Sequence, residues 1–169
     1  MDGPQLIEPG KALVTGGSKR LGREISLALG RAGADVAVHF NSSRQPAENL
    51  CRELEAFGVR GVPLQADLAD PTQVEALFDG AWEDLGGLDY LVNNASIFPA
   101  GRLESMTLED LHQNLQVNAW APFLLTRAFW RRLSESDGEG AVVNLLDTRL
   151  VGGDLAHTAY HLSKSTLAE

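Results

Sequence analysis

Short aliphatic runs alternate along this chain with stretches long enough to cross back over a sheet, and that alternation constrains the fold more than any other feature. The runs are Ala12-Leu13-Val14, Val36-Ala37-Val38, Gly61 to Gln65, Leu88 to Val92 and Ala141 to Leu146. Between them lie patterns of helical period. Leu21 to Ala32 is stopped by Gly33, Arg44 to Phe57 is ended by Gly58, and Pro71 suits the first turn of a helix running to Leu85. Leu108 to Leu133 is long enough to span a domain, and another helix is expected from Thr158. Antiparallel neighbours close with short hairpins, whereas connections of this length suit right-handed crossovers between parallel strands. The expected fold class is α/β, a doubly wound parallel sheet.

In such sheets ligands collect at the carboxyl ends of the strands, near the point where strand order reverses. The informative loops are then Thr15 to Gly22, Phe40 to Arg44, Asn93 to Gly101 and Asp147 to Tyr160. The first reads Thr15-Gly16-Gly17-Ser18-Lys19-Arg20-Leu21-Gly22, a glycine turn opening a helix. Glycine lets the backbone approach a pyrophosphate, and the unpaired N–H groups and dipole of the helix start hold it. A glycine turn that merely closes a βα unit is the competing explanation of the loop taken alone. Sites for NAD carry an acid roughly 20 residues further on, at the ribose 2′-hydroxyl. Here that stretch is Val38-His39-Phe40-Asn41-Ser42-Ser43-Arg44, with no acid. Lys19, Arg20 and Arg44 offer charge, and Ser42 and Ser43 offer hydroxyls, a set suited to a 2′-phosphate and hence to NADP. A solvated charge at a helix start is an equal alternative for Arg44.

The totals bound the partners. One domain accommodates 169 residues, and a formal charge of −9 with no basic patch argues against nucleic acid or an anionic membrane surface. The single Cys51 has no intramolecular partner, which points to a cytoplasmic protein with Cys51 as packing. Met1 to Gly10 contains no apolar run and is expected to be a frayed leader rather than a signal or membrane segment. Trp82, Trp120 and Trp130 are expected in the core or an interface, His157 and His161 in solvent. No cluster has metal-ligand spacing, so no metal is expected.

The remaining motifs identify a family. Asn93-Asn94-Ala95-Ser96, Asn118 and Tyr160-His161-Leu162-Ser163-Lys164, together with Thr15-Gly16-x-x-x-Arg20-x-Gly22 and Asp67, resemble the short-chain dehydrogenase/reductase family along essentially the whole chain. The resemblance implies a Rossmann-type oxidoreductase in which Gly16, Ser18, Lys19, Arg20, Leu21, Asn41, Ser42, Ser43, Asp67, Leu68, Asn94, Ala95, Ser96, Tyr160 and Lys164 bind NADP. It makes Tyr160 the proton donor and Lys164 the cation that lowers its pKa. At i and i+4 on a helix the two share a face, and a tyrosine with a reference pKa near ~10 needs such a cation. Asn118 has a competing role as a helix-distorting residue whose side chain and freed backbone hold a water, itself part of the family's proton relay.

Two departures refine the substrate. Arg20 replaces the middle glycine of the usual motif, and Asp147 stands where the family has a substrate-orienting Ser. Both, with Asn94-Ala95-Ser96-x-Phe98, look like the pteridine reductases, which implies that Arg20, Ser96, Phe98, Asp147 and Tyr160 meet a pterin and that Asp147 is catalytic with Tyr160, Lys164 and Asn118. A carboxylate accepts from the amino and ring N–H groups of a pterin, and Phe98 supplies a flat apolar face. The alternatives are loop packing for Phe98, a turn residue for Asp147 with Thr148 in the Ser role, and a pure phosphate ligand for Arg20. Family members continue beyond this helix, so residues 1–169 are expected to be a single NADP-binding domain cut short after the Tyr-x-x-x-Lys helix begins, with the C-terminal strands missing. Other carbonyls, such as a 3-oxoacyl thioester, and a nonenzymatic NADP-binding or oligomerisation module are the rival functions. In the family the helices near Leu108 and Thr158 pair across a two-fold axis, and apolar Leu111, Leu115, Ala119, Phe123 and Leu124 fit a homodimer or homotetramer.

Overall fold

The computed structural model describes residues 8–136, 138–151 and 156–169. Strands β1 (Lys11–Val14), β2 (Asp35–Phe40), β3 (Gly61–Gln65), β4 (Tyr90–Asn93) and β5 (Ala141–Asn144) form one parallel sheet in the order β3-β2-β1-β4-β5. The order reverses between β1 and β4, so the doubly wound architecture expected from the sequence is the one observed. The helices are α1 (Arg20–Arg31), α2 (Arg44–Glu55), α3 (Pro71–Leu85), α4 (Leu108–Leu115), α5 (Ala121–Ser136) and α6 (Thr158–Ala168).

Alternation along each strand feeds two cores. Ala12, Val14, Val36, Val38 and Val92 pack with Leu27 of α1 and Leu50, Cys51 and Leu54 of α2. Leu13, Ala37 and Leu91 pack on the other face with Val74, Phe78 and Ala81 of α3 and Leu125 and Phe129 of α5. Burying each large aliphatic or aromatic side chain contributes about 1.5–3 kcal/mol, so both helix layers are held by many such contacts. Cys51 is buried as packing. Asp70 caps α3 by accepting from the Thr72 N–H, with Pro71 behind it and Gly86 left-handed at the far end.

Several expectations need correction. The long helix is interrupted: Gln116–Trp120 is a π-helical turn, with the Ala121 N–H reaching back to the Gln116 carbonyl. Pro122 is the cause, since it has no N–H for the Asn118 carbonyl four residues earlier and its ring crowds that carbonyl. Strand β4 starts two residues later than the apolar run suggests and β5 ends at Asn144. Glu8 to Gly10 are tied down, since the Glu8 carbonyl accepts from the Tyr90 hydroxyl and the Gly10 carbonyl from the Asp35 N–H. The rest of the expected leader lies outside the described residues. Of the tryptophans expected in the core or an interface, Trp82 packs on the core and Trp120 and Trp130 lie at the surface of the chain.

One ionisable ring lies inside the sheet layer. His39 is 2% exposed, and burial pulls its pKa from 6.5 down to about 4 against the smaller opposing effects of the Ala66 carbonyl and the Asp67 charge. The unfolded chain therefore binds more protons than the folded one between those two values. This stability is fully present above pH 6.5 and is lost as pH falls toward 4, by on the order of 3 kcal/mol. Urea unfolding between pH 7 and 4 should show that slope, and His39→Asn should flatten it. An unchanged slope in the variant would assign the acid sensitivity to other groups.

Candidate active site

The loops after β1 and β4 are bound to each other at the reversal point. The Thr15 hydroxyl accepts from the N–H groups of Asn94 and Ala95, both at 3.0 Å, and donates to the Val92 carbonyl. The Asn94 amide in turn donates to the carbonyls of Thr15 and Gly16. Gly16 is left-handed at φ +61, and a Cβ there would meet Ala95; a Cβ on Gly22 would run into the Gly16 carbonyl oxygen. These two glycines let the loop fold back against the start of α1. That helix has Lys19 at its N-cap with no side-chain cap and no acid in its first turn, so its leading N–H groups are available to an anion.

The loop forms one wall of a cavity of about 620 Å³ at the carboxyl ends of the strands. Gly16, Ser18, Lys19, Arg20 and Leu21 line it from the first loop and Asn41, Ser42 and Ser43 from the second. Asp67 and Leu68 follow β3, Asn94, Ala95 and Ser96 follow β4, and Tyr160 and Lys164 close it from α6. All the cofactor residues anticipated from the sequence thus meet at one cavity. Asp67 is the one acid among the described lining residues, and the Asn41 to Ser43 end carries none.

At the α6 end, the Tyr160 hydroxyl donates to Asp147 Oδ2 at 2.8 Å, and Lys164 Nζ donates to the Leu145 carbonyl at 2.7 Å. Both Tyr160 and Lys164 are buried. Burial lowers the Lys164 pKa, and the Asp147 charge works the other way. The carboxylate of Asp147, rather than the exposed Thr148, takes the place beside the tyrosine.

Asn118 stands apart from this pair. Its side chain is fully buried, accepting from the Ile97 N–H at 2.9 Å and donating to the Ile97 carbonyl and Ser163 Oγ, each at 3.0 Å. It ties the loop after β4 to α6, and its amide is spent on that. Phe98 is not part of the cavity wall: it is 44% exposed, stacked on His157 at 3.9 Å between centroids and set edgewise to Tyr160 at 4.6 Å. His157, expected in solvent, is therefore a stacking partner, and His161 is half-buried. Arg44 lies over Phe40, donates to Gln65 and pairs loosely with Glu48, outside the lining. The cavity also takes in His39, Gln113, Val117 and Leu145, which sequence reasoning missed. A polar residue inside the apolar run Val36 to Phe40 was the available signal for His39. Among the described residues no group of His, Cys, Asp and Glu is placed to hold a metal, and no helix is long and apolar enough to cross a membrane.

Comparison with known proteins places these features in company. The family described as short chain dehydrogenase matches residues 10–169. Versicolorin reductase stcU of Emericella nidulans is 34% identical over 156 residues, which is 92% of this chain and 58% of that protein. A short chain dehydrogenase from Burkholderia cenocepacia, solved in complex with NADP, superposes with a TM-score of 0.86 at 36% identity, covering 95% of this chain and 64% of that one. FolM alternative dihydrofolate reductase 1 from Brucella canis, complexed with NADP, gives 0.86 at 30% identity, covering 93% and 63%. The chain spans from about half to just under two thirds of the length of the relatives and solved structures it matches.

Arg20 carries a cost that can be measured. It opens α1 at φ +50, the one described non-glycine residue with positive φ. A left-handed side-chain-bearing residue is disfavoured by ~1–2 kcal/mol, while glycine loses part of that advantage to its greater unfolded-state freedom. Arg20→Gly should therefore raise the ligand-free unfolding free energy by on the order of 1 kcal/mol. A loss of stability in chemical denaturation would mean that the guanidinium itself anchors the loop.

Proposed function

The chain belongs to the short-chain dehydrogenase family, and from that membership we propose that it is the cofactor-binding part of an NADPH-dependent reductase acting on a pterin-type ring of the biopterin, dihydropterin or folate class. The observation that carries the substrate class is the Asp147 carboxylate on the Tyr160 hydroxyl. A carbonyl substrate calls for a hydrogen-bond donor at that position, whereas a carboxylate suits the amino and ring N–H groups of a pterin. The Brucella canis neighbour, named as an alternative dihydrofolate reductase, supports the same class. Reduction of another carbonyl is the second reading, favoured by the versicolorin reductase relative.

The cavity fits NADP. The uncapped start of α1 suits the diphosphate, and Lys19, Arg20, Ser42 and Ser43, at an end without acids, suit a 2′-phosphate. Asp67 and Leu68 would flank the adenine, and Lys164 and Tyr160 the nicotinamide ribose. The cofactor-bound neighbours support this choice. When bound, NADPH supplies the hydride. Tyr160 Oη holds the proton to be delivered, and the Lys164 ammonium, on the same face of α6, stabilises the phenolate left behind. Asp147 orients both the tyrosine hydroxyl and the substrate. Arg20 and Ser96 would border the ring, with Phe98 reaching it only from outside the described cavity wall. Asn118 would serve the relay through its backbone carbonyl in the π-helical turn, its side chain being spent on Ile97 and Ser163. The protein works as a dimer or tetramer in the cytoplasm; exposed Trp120, Phe123 and Trp130 on α5 and the turn before it support self-association.

NADPH should bind more tightly than NADH in direct titration, and Arg20→Gly should weaken NADPH by roughly 1.5–3 kcal/mol, the scale of one charge-assisted contact. Equal affinity for the two dinucleotides would remove the 2′-phosphate argument.

In the full-length protein, Asp147→Ser should depress pterin reduction by about 10²-fold or more while NADPH binding survives. Activity on a simple ketone should appear or rise, and Tyr160→Phe should abolish both reactions. Turnover assayed on biopterin, folate and a keto thioester decides between the readings: unaltered pterin turnover in Asp147→Ser would make the carboxylate a turn residue.

A further inference from the structure

We propose that His39 is a positioning residue for the cofactor: its neutral imidazole bridges the glycine loop and the wall that follows β3, and so sets the shape and width of the diphosphate and adenine end of the cavity. The proposal rests on the NADPH reading above. His39 lies at the end of β2, and its ring makes hydrogen bonds of opposite sense on its two nitrogens. Nδ1 accepts from the Gly16 N–H at 2.9 Å, and Nε2 faces the Ala66 carbonyl at 3.1 Å. Its own carbonyl accepts from the Gly17 N–H at 2.9 Å. An acceptor at Nδ1 and a donor at Nε2 require the Nε2-protonated tautomer. The other tautomer, or the imidazolium, would set an N–H against the Gly16 N–H.

Each end of that bridge touches the cavity. Gly16 is the left-handed residue that begins the turn into α1, and fixing its N–H fixes where the N–H groups of Ser18 to Leu21 then point. Ala66 immediately precedes Asp67 and Leu68 on the facing wall. One ring therefore couples two walls that come from strands on either side of β2. Burial keeps the ring uncharged down to about pH 4, so the bridge persists through the neutral range. Nothing in the proton chemistry at Tyr160 and Lys164 uses His39.

The test combines a spectroscopic measurement with binding. Nitrogen-15 NMR of the ligand-free wild type at pH 7 should show the His39 ring protonated at Nε2 alone, and the Gly16 amide should exchange slowly with solvent. A ring protonated at Nδ1, or fully protonated, overturns the proposal with no mutant needed. His39→Phe keeps a flat aromatic ring and offers neither bond; it should accelerate Gly16 exchange and raise the Kd for NADPH at least tenfold. His39→Asn, whose amide oxygen can accept from the Gly16 N–H in place of Nδ1 while its shorter side chain leaves the Ala66 carbonyl, should recover part of that loss. A folded His39→Phe that binds NADPH as the wild type does, or His39→Asn as weak as His39→Phe, overturns the bridge. Failure of the wild type to bind NADPH would instead sink the cofactor reading, and the tautomer and exchange data would still judge the bridge.

Discussion

The site depends on a divergence held open by one hydroxyl. Strands β1 and β4 are neighbours, but the chain leaves them in opposite directions, toward α1 and toward the loop that carries Ser96 and Phe98. Thr15 Oγ1 joins the two exits by accepting from consecutive backbone N–H groups while donating to the Val92 carbonyl. A buried amide left without its acceptor costs about 1–3 kcal/mol, so this single oxygen fixes the geometry of both loops more firmly than any apolar contact at the surface could. Glycine at positions 16 and 22 follows from the same closeness, because a Cβ at either would meet Ala95 or the Gly16 carbonyl.

The other end of the cavity is organised by burial and charge. Tyr160 and Lys164 lie a turn apart on α6, and Asp147 reaches them from the turn after β5. Desolvation lowers the Lys164 pKa, and the charge of the Asp147 carboxylate opposes that shift. The side chains of Asn118 and Ser163 brace α6 against the loop after β4, so the groups that would meet substrate stand on elements already fixed to one another.

Most of the fold was legible because β-type runs, glycines and prolines sit where the backbone needs them. Pro71 and Gly86 bound α3 as their chemistry dictates, and the residues that line the cavity were legible because they cluster in loops at strand ends. The long helix was misread over one feature, Pro122, whose missing N–H interrupts a pattern that hydrophobic period alone carries straight through. His39 was hidden by its place in an apolar strand, since a pattern of burial does not reveal which backbone groups a ring will meet. The stacking of Phe98 on His157 joins residues far apart in sequence, and no local pattern encodes that meeting. Arg44 was ambiguous in sequence, and its neighbours Phe40, Gln65 and Glu48 draw it away from the cavity.

The two borders of the sheet differ in kind. At β3, the alternation that brings the Ala66 N–H to the Phe40 carbonyl turns Pro63 outward, and proline has no N–H to offer a newcomer. At β5, Val142 and Val143 are 37% and 51% exposed, with every residue of the strand open to solvent. The two edges are therefore unequal: β5 presents exposed valines and an unbroken row of backbone groups, whereas the row at β3 is interrupted at Pro63.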